Sequence, residues 1–239
     1  MKKKTRWPLY LIIGLIITFI AFTVPLPYYI EVPGTSEDIR KVLQVNNQPD
    51  QEEGSYQFVT VGVKHARLVD LVYAWLTPFT DIHSAKEMTG GSSDAEFMRI
   101  NQFYMETSQN MAKYQGLKTA GKEIELKYLG VYVLTVTDNS TFKGVLNIAD
   151  TVTAVNDKTF ESSKEMVDYV NSQTLGDQVK VTYEEDGKVK TAEGKIITLE
   201  NGKNGIGIGL IDRTEVSSDV PIKFSTAGIG GPSAGMMFS

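Results

Sequence analysis

The chain has 239 residues, 41% hydrophobic and 22% charged, with a formal net charge of −5 and no cysteine. Its length suits one large or two small folded domains beside a targeting segment, and the missing cysteines exclude disulfide frameworks, thiolate zinc sites and cysteine nucleophiles. Four of the 24 basic residues, Lys2, Lys3, Lys4 and Arg6, stand together at the N-terminus, so the remainder carries 20 basic against 29 acidic residues and lacks the positive surface that a nucleic acid partner requires.

From Trp7 to Ile30 no residue is charged. Roughly 20 apolar residues cross a bilayer as a helix, so a membrane span is expected from 7 to 26, with Trp7 and Tyr28 or Tyr29 at the two interfaces. The basic cluster ahead of it would stay in the cytoplasm, which makes this a single-pass protein of the cell membrane with its bulk extracytoplasmic. A cleaved signal peptide shares the basic start and the apolar stretch. The length of the apolar run and the poor cleavage site at Ala21-Phe22-Thr23 favour an uncleaved anchor.

PLPYYIEVPGTSED reads as an extended exit leading into a strand, because its prolines and Gly34 oppose a continuing helix. YQFVTVGV, 56–63, is rich in β-formers, and LVDLVYAWL, 68–76, has the apolar spacing of a short helix with Trp75 in the core. A loop from Thr89 to Asp94 precedes a long amphipathic helix over 94–115. The Ser93/Glu96 capping-box spacing starts this helix, and Phe97, Ile100, Tyr104 and Met111 form its buried stripe. Gly116 and Gly121 mark its end.

A second module begins near Ile124. Strand IELKYLGVYVLTVT is followed by a turn at Asp138 to Ser140, the short segment FKGVLNIAD, strand TVTAVND and helix SSKEMVDYVNSQ. Strands QVKVTYEEDG and KVKTAEGKII then form a hairpin about Glu185-Asp186-Gly187. Ser162 and Glu165 have capping-box spacing at the start of that helix.

This order resembles a PDZ domain of the bacterial, circularly permuted kind. Tyr128-Leu129-Gly130-Val131 resembles the family's carboxylate-binding loop, and Val131 to Val136, Val133 included, resembles the strand to which a peptide adds. Asp150 to Asn156 resembles the Gly-Asp-x-Ile-x-x-Val-Asn segment, with Ala149 in place of the usual glycine. The resemblance implies peptide binding, with backbone N–H groups converging on an anion and Met166 and Val170 lining the groove beside the helix. A small α/β module that uses Gly130 only as a turn is the alternative.

Downstream, VPIKFSTAGIGGPSAGMMFS passes through Gly228, Gly230 and Gly231 before turning helical, which places Ser233 at a strand-to-helix turn. Backbone N–H groups there could support an oxyanion, whereas an ordinary N-cap serine would look the same locally. Gly-Gly-Pro-Ser-Ala-Gly resembles the nucleophile motif of the Lon-type serine peptidases, whose partner is a lysine. The resemblance implies Ser233 as nucleophile and a desolvated lysine as general base. Lys223 does not match the position of that lysine, and the chain is expected to be a fragment of a longer protein.

Together these features resemble the membrane-anchored PDZ and Lon-like peptidases of Gram-positive bacteria. The expected fold class is α+β. Residues 1–26 would be a basic tip and transmembrane helix, 27–120 a mixed α/β extracytoplasmic region, 121–200 a PDZ-like peptide-binding domain, and 201–239 the start of a Lon-type protease domain. The implied function is extracytoplasmic endopeptidase, with a non-catalytic membrane-tethered peptide-binding scaffold as the alternative. Peptide or protein substrate and the lipid bilayer are the expected partners, with association into homo-oligomers as the family implies. No cofactor or metal is expected: there is no Gly-x-x-x-x-Gly-Lys loop, Gly205-Ile206-Gly207-Ile208-Gly209 lacks a dinucleotide fingerprint, and His65 and His83 are the only histidines.

Overall fold

In the computed structural model, which describes residues 6–226, 228–231 and 238, the apolar run opens as helix α1 (Trp7–Thr23). A proline lies in its first turn, where the missing N–H leaves no bond unmade. Val24 is already extended and Pro25 begins strand β1 (Pro25–Asp38), so the helix stops at Thr23 rather than at 26. Among the described residues no helix is long and apolar enough to cross a membrane.

The chain divides into two units, one formed by the residues up to Glu37 with Gln57–Asp94, the other by Asp38–Tyr56 with the residues from Ala95 on. Helix α2 (Ile39–Val42) and strand β2 (Leu43–Val45) belong to the second. Asp38 caps α2 by accepting from the Arg40 backbone N–H at 3.0 Å.

The first unit continues with β3 (Gln57–Arg67), α3 (Leu68–Leu76), β4 (Asp81–Ser84) and α4 (Ala85–Thr89). Its sheet has the order β3-β1-β4, with Tyr28 opposite Ser84 and Glu31 opposite Asp81 in the antiparallel β1/β4 ladder. Tyr29, Ile30, Phe58 and Ala66 are buried. The Tyr29 ring lies 4.3 Å from the His65 imidazole, and its hydroxyl donates to Asp94, whose other oxygen is 2.6 Å from His65 Nε2.

Helix α3 has the expected limits but not the expected orientation. Trp75 is 84% exposed rather than in the core. The residue turned inward is Asp70, which accepts from the Arg67 N–H at 2.8 Å and from Lys64 Nζ at 2.9 Å. Burying this closed and paired first turn sends the positions on the opposite side of the helix outward.

The second unit resumes at Ala95 within α5 (Asp94–Thr119), which continues through Gly116 instead of ending there. Phe103, Met105, Ala112 and Leu117 are its buried side chains, and Met111, expected in the stripe, is 48% exposed. The contact face is set by a partner distant in sequence: Phe103 stacks on Tyr132 with ring centroids 3.7 Å apart.

After α5 come β5 (Glu125–Val136), β6 (Thr151–Val155), α6 (Ser163–Asn171), β7 (Gln178–Glu185) and β8 (Lys188–Lys195), then β9 (Ile197–Thr198), β10 (Asn204–Gly205), β11 (Ile208–Ser217) and β12 (Ile222–Phe224). Five of these strands form an antiparallel sheet of order β11-β5-β6-β7-β8. Alternation turns Val179, Val181 and Tyr183 of β7 inward. They meet Val131, Val133, Val152, Phe142 and Leu146 in one core, which α6 closes with Met166 and Val170 one helical turn apart. Asp186 and Gly187, at φ 49° and 76°, make the two-residue turn between β7 and β8 that the Glu-Asp-Gly sequence predicts. Strand β12 pairs with β2, Phe224 opposite Leu43.

Candidate functional site

Five of the expected peptide-binding residues, Tyr128, Leu129, Gly130, Val131 and Val133, lie on β5, and the other two, Met166 and Val170, on α6. They do not form the expected loop and open groove. Residues 128–131 run within a continuous strand, with a bulge that leaves Leu129 unmatched between the pairs Tyr128↔Thr214 and Gly130↔Arg213. Gly130 has φ 137°, and a Cβ there would overlap the Val152 carbonyl oxygen of β6. The glycine therefore serves a close approach between two strands, not a tight turn that frees N–H groups.

Val131 and Val133 are wholly buried, and Met166 and Val170 nearly so, as parts of the core. The edge of β5 expected to receive a peptide is paired along its length with β11, from Ile208↔Val136 to Ser217↔Glu125. Beside that strand Met166 and Val170 line a small cavity of about 60 Å³ with Ile206, Ile208 and Leu210. Across that cavity Met166 and Val170 thus face the chain's own segment 206–210.

The polar end of this arrangement lies at the start of α6. Ser162 caps the helix by accepting from the Glu165 N–H at 3.3 Å, while the Glu165 carboxylate accepts from the Glu161 N–H at 3.0 Å, one residue earlier than a reciprocal box requires. The Ser163 N–H donates to Asp212 of β11 at 3.1 Å. The Tyr128 hydroxyl is buried without a hydrogen-bond partner among the described residues. Burial, then the nearby charges of Asp212 and Glu165, push its pKa up to about 12.

Sequence reasoning missed Ile208, Leu210 and Asp212, which alternate along β11 and present two apolar side chains and then an acid. That alternation is visible in IGLIDRTE, but the glycines around it obscure a strand. On the far side of β5 a cleft of about 230 Å³ is lined by Arg99, Glu106, Tyr132, Ala149, Asp186 and Arg213, and Arg213 donates to Thr151 Oγ1 at 2.7 Å. Ser233 lies outside the described residues. Lys223 is exposed on β12, and among the described residues no cluster of His, Asp and Glu could hold a metal ion.

A family model described as PDZ domain matches residues 102–196. The chain carries a PDZ domain. The crystallised PDZ domain of an SdrC-like protein from Listeria monocytogenes is 36% identical over 36% of this chain and 93% of that chain, with a TM-score of 0.35. Its counterpart from Listeria innocua is 36% identical over 34% of this chain and 92% of that chain, at 0.33. A protein from Geobacillus thermodenitrificans is 30% identical over 34% and 94%, at 0.31. No curated protein matches the chain. The PDZ match begins inside α5 and ends at 196, so the strand that covers the β5 edge, Ile208–Ser217, lies beyond it.

Proposed function

We propose that this PDZ domain binds polypeptide by strand addition at the β5 edge, and that β11 holds the place an incoming segment takes. The observation that carries this reading is the pairing of β11, a strand outside the PDZ match, along the edge of β5 beside α6. Strand addition draws affinity from main-chain hydrogen bonds and specificity from alternate side chains. The ligand chemistry follows from the stand-in: an extended segment with apolar residues where Ile208 and Leu210 lie, and a carboxylate where Asp212 lies. That carboxylate would meet the Ser163 N–H at the positive end of α6 and the free hydroxyl of Tyr128. A tethered strand competes at an effective concentration in the millimolar range, so peptide affinity for the intact chain would be weak.

In the wider reading, the PDZ domain presents extracytoplasmic polypeptide to a Lon-type Ser/Lys dyad in a membrane-anchored endopeptidase. Gly-Gly-Pro-Ser-Ala-Gly supports Ser233 as its nucleophile, and Lys2, Lys3, Lys4 and Arg6 ahead of an apolar 17-residue helix support the anchor. The lysine is matched by no position of this sequence, so cleavage belongs to a protein that supplies one. Ser233→Ala in that protein should abolish cleavage and leave peptide binding intact. Undiminished cleavage would remove Ser233 from the mechanism, and binding without cleavage by the unmutated protein would leave a tethered scaffold. The binding proposal itself is tested by titrating peptides of the stated pattern into the chain and into Leu210→Asp. Weak binding that tightens in the variant is expected, and no binding to either would overturn it.

A further inference from the structure

Helix α3 carries its apolar side outward. Leu68, Val72, Trp75 and Leu76 fall at i, i+4, i+7 and i+8, which is one helical face, and all four are exposed, as is Phe79 just beyond. The one charged residue of the helix, Asp70, is on the buried side and bonded to Lys64 and the Arg67 N–H. A helix that faces water has the reverse pattern. Within the same unit α3 packs against α1, which has no buried residue.

We propose that the outer face of α3, with Phe79, lies in the interfacial layer of a lipid bilayer. Three observations favour lipid over a second protein. The helix adjoins the apolar α1, so one nonpolar solvent would cover the exposed surfaces of both. The outer face carries Trp75, with Phe79 just beyond, and aromatic rings of this kind settle at the level of the lipid headgroups. Arg67, exposed at the start of α3, supplies a cation to anionic headgroups at the end of the apolar face. A surface-lying helix needs no length to cross a membrane, so nine residues suffice. The inference rests on reading α1 as the membrane anchor, and it adds that the first unit is pressed to the lipid surface.

The chain has two tryptophans, Trp7 and Trp75, so Trp7→Phe makes Trp75 the sole reporter and Trp75→Phe does the same for Trp7. Each full-length variant is reconstituted in phosphatidylcholine and phosphatidylglycerol vesicles containing lipids brominated near the headgroup end or the methyl end of the acyl chain. Trp75 should emit at short wavelength and lose roughly half its intensity to the shallow bromines, and less to the deep ones. Adding Val72→Glu and Phe79→Glu at these exposed positions should abolish that quenching. Unquenched Trp75 at the emission wavelength of water, with Trp7 quenched, would overturn the proposal and leave the anchor standing. If neither is quenched, the anchor reading falls and takes the proposal with it. A blue shift of Trp75 that needs no lipid and disappears on dilution would assign the face to a second copy and equally overturn the proposal.

Discussion

Asp212 of β11 accepts a hydrogen bond from the backbone N–H of Ser163, the first residue of α6, at 3.1 Å. A strand beyond the PDZ match thus places an acid on the positive end of the helix beside the β5 edge. The same strand fills the edge itself, so one element supplies both the main-chain pairing and the carboxylate that a bound peptide would bring.

Removing that acid should loosen the strand without touching the core. Asp212→Ala forfeits a helix-end interaction of about 1 kcal/mol. Peptides of the apolar-apolar-acidic pattern should therefore bind roughly fivefold more tightly, since about 1.4 kcal/mol is tenfold in affinity. Isothermal titration of the two proteins reads this directly, and equal affinities would show that Asp212 does not hold β11 in place.

Gly130 has neither a free conformation nor free space. Gly130→Ala would put a side chain at φ 137° and against the Val152 carbonyl, which together should destabilise the PDZ domain by roughly 2–5 kcal/mol. Chemical denaturation should show the lower midpoint, and a value within 0.5 kcal/mol of the parent, the order expected of a neutral surface change, would refute the packing described.

Ala149 offers the opposite case. It has φ 85°, in the region that favours glycine, and stands where the family pattern has one. Ala149→Gly should raise stability by about 1 kcal/mol, the relief of backbone strain less the extra freedom gained by the unfolded chain. Thermal unfolding would register a higher midpoint.

Two carboxyls, Asp70 in the first unit and Asp150 in the second, should respond to acid with opposite sign. Burial pushes the Asp70 carboxyl up, but bonds from Lys64 and the Arg67 N–H prevail and hold it below the ordinary range. Its contribution is present above the unfolded value of about 3.9 and is lost as pH falls through the lower folded value. Asp150 is held above that range, by burial first and also by Glu185, against the pull of the Asn147 N–H. Its folded form binds a proton more readily than its unfolded form, so stability falls as pH rises from about 3.9 through the folded value. Asp150→Asn keeps an acceptor for the Asn147 N–H while removing the charge. It should therefore flatten the PDZ unfolding profile across that window and stabilise the domain at neutral pH, as denaturation at a series of pH values would reveal.

The parts of this fold that were legible in the sequence have local causes. Glu-Asp-Gly specifies its own two-residue turn, and Ser162 caps its own helix. The inward valines of β7 follow from alternation alone. What could not be read depends on a distant partner. Tyr132 decides which side of α5 is buried, Asp70 turns α3 so that Trp75 faces out, and only the pairing with β5 makes a strand of Ile208–Ser217 amid glycines. The candidate site shows the same division: β5 and α6 were recognisable by order, whereas the segment that covers them was not.

Hydrogen exchange on the full chain, with and without a saturating peptide of the apolar-apolar-acidic pattern, reads the exchange of one strand for another amide by amide. If the peptide takes the place of β11, amides of 208–217 should lose their protection while those of β5 keep theirs. Continued protection of 208–217 with peptide bound would contradict the account and move the binding site elsewhere on the protein.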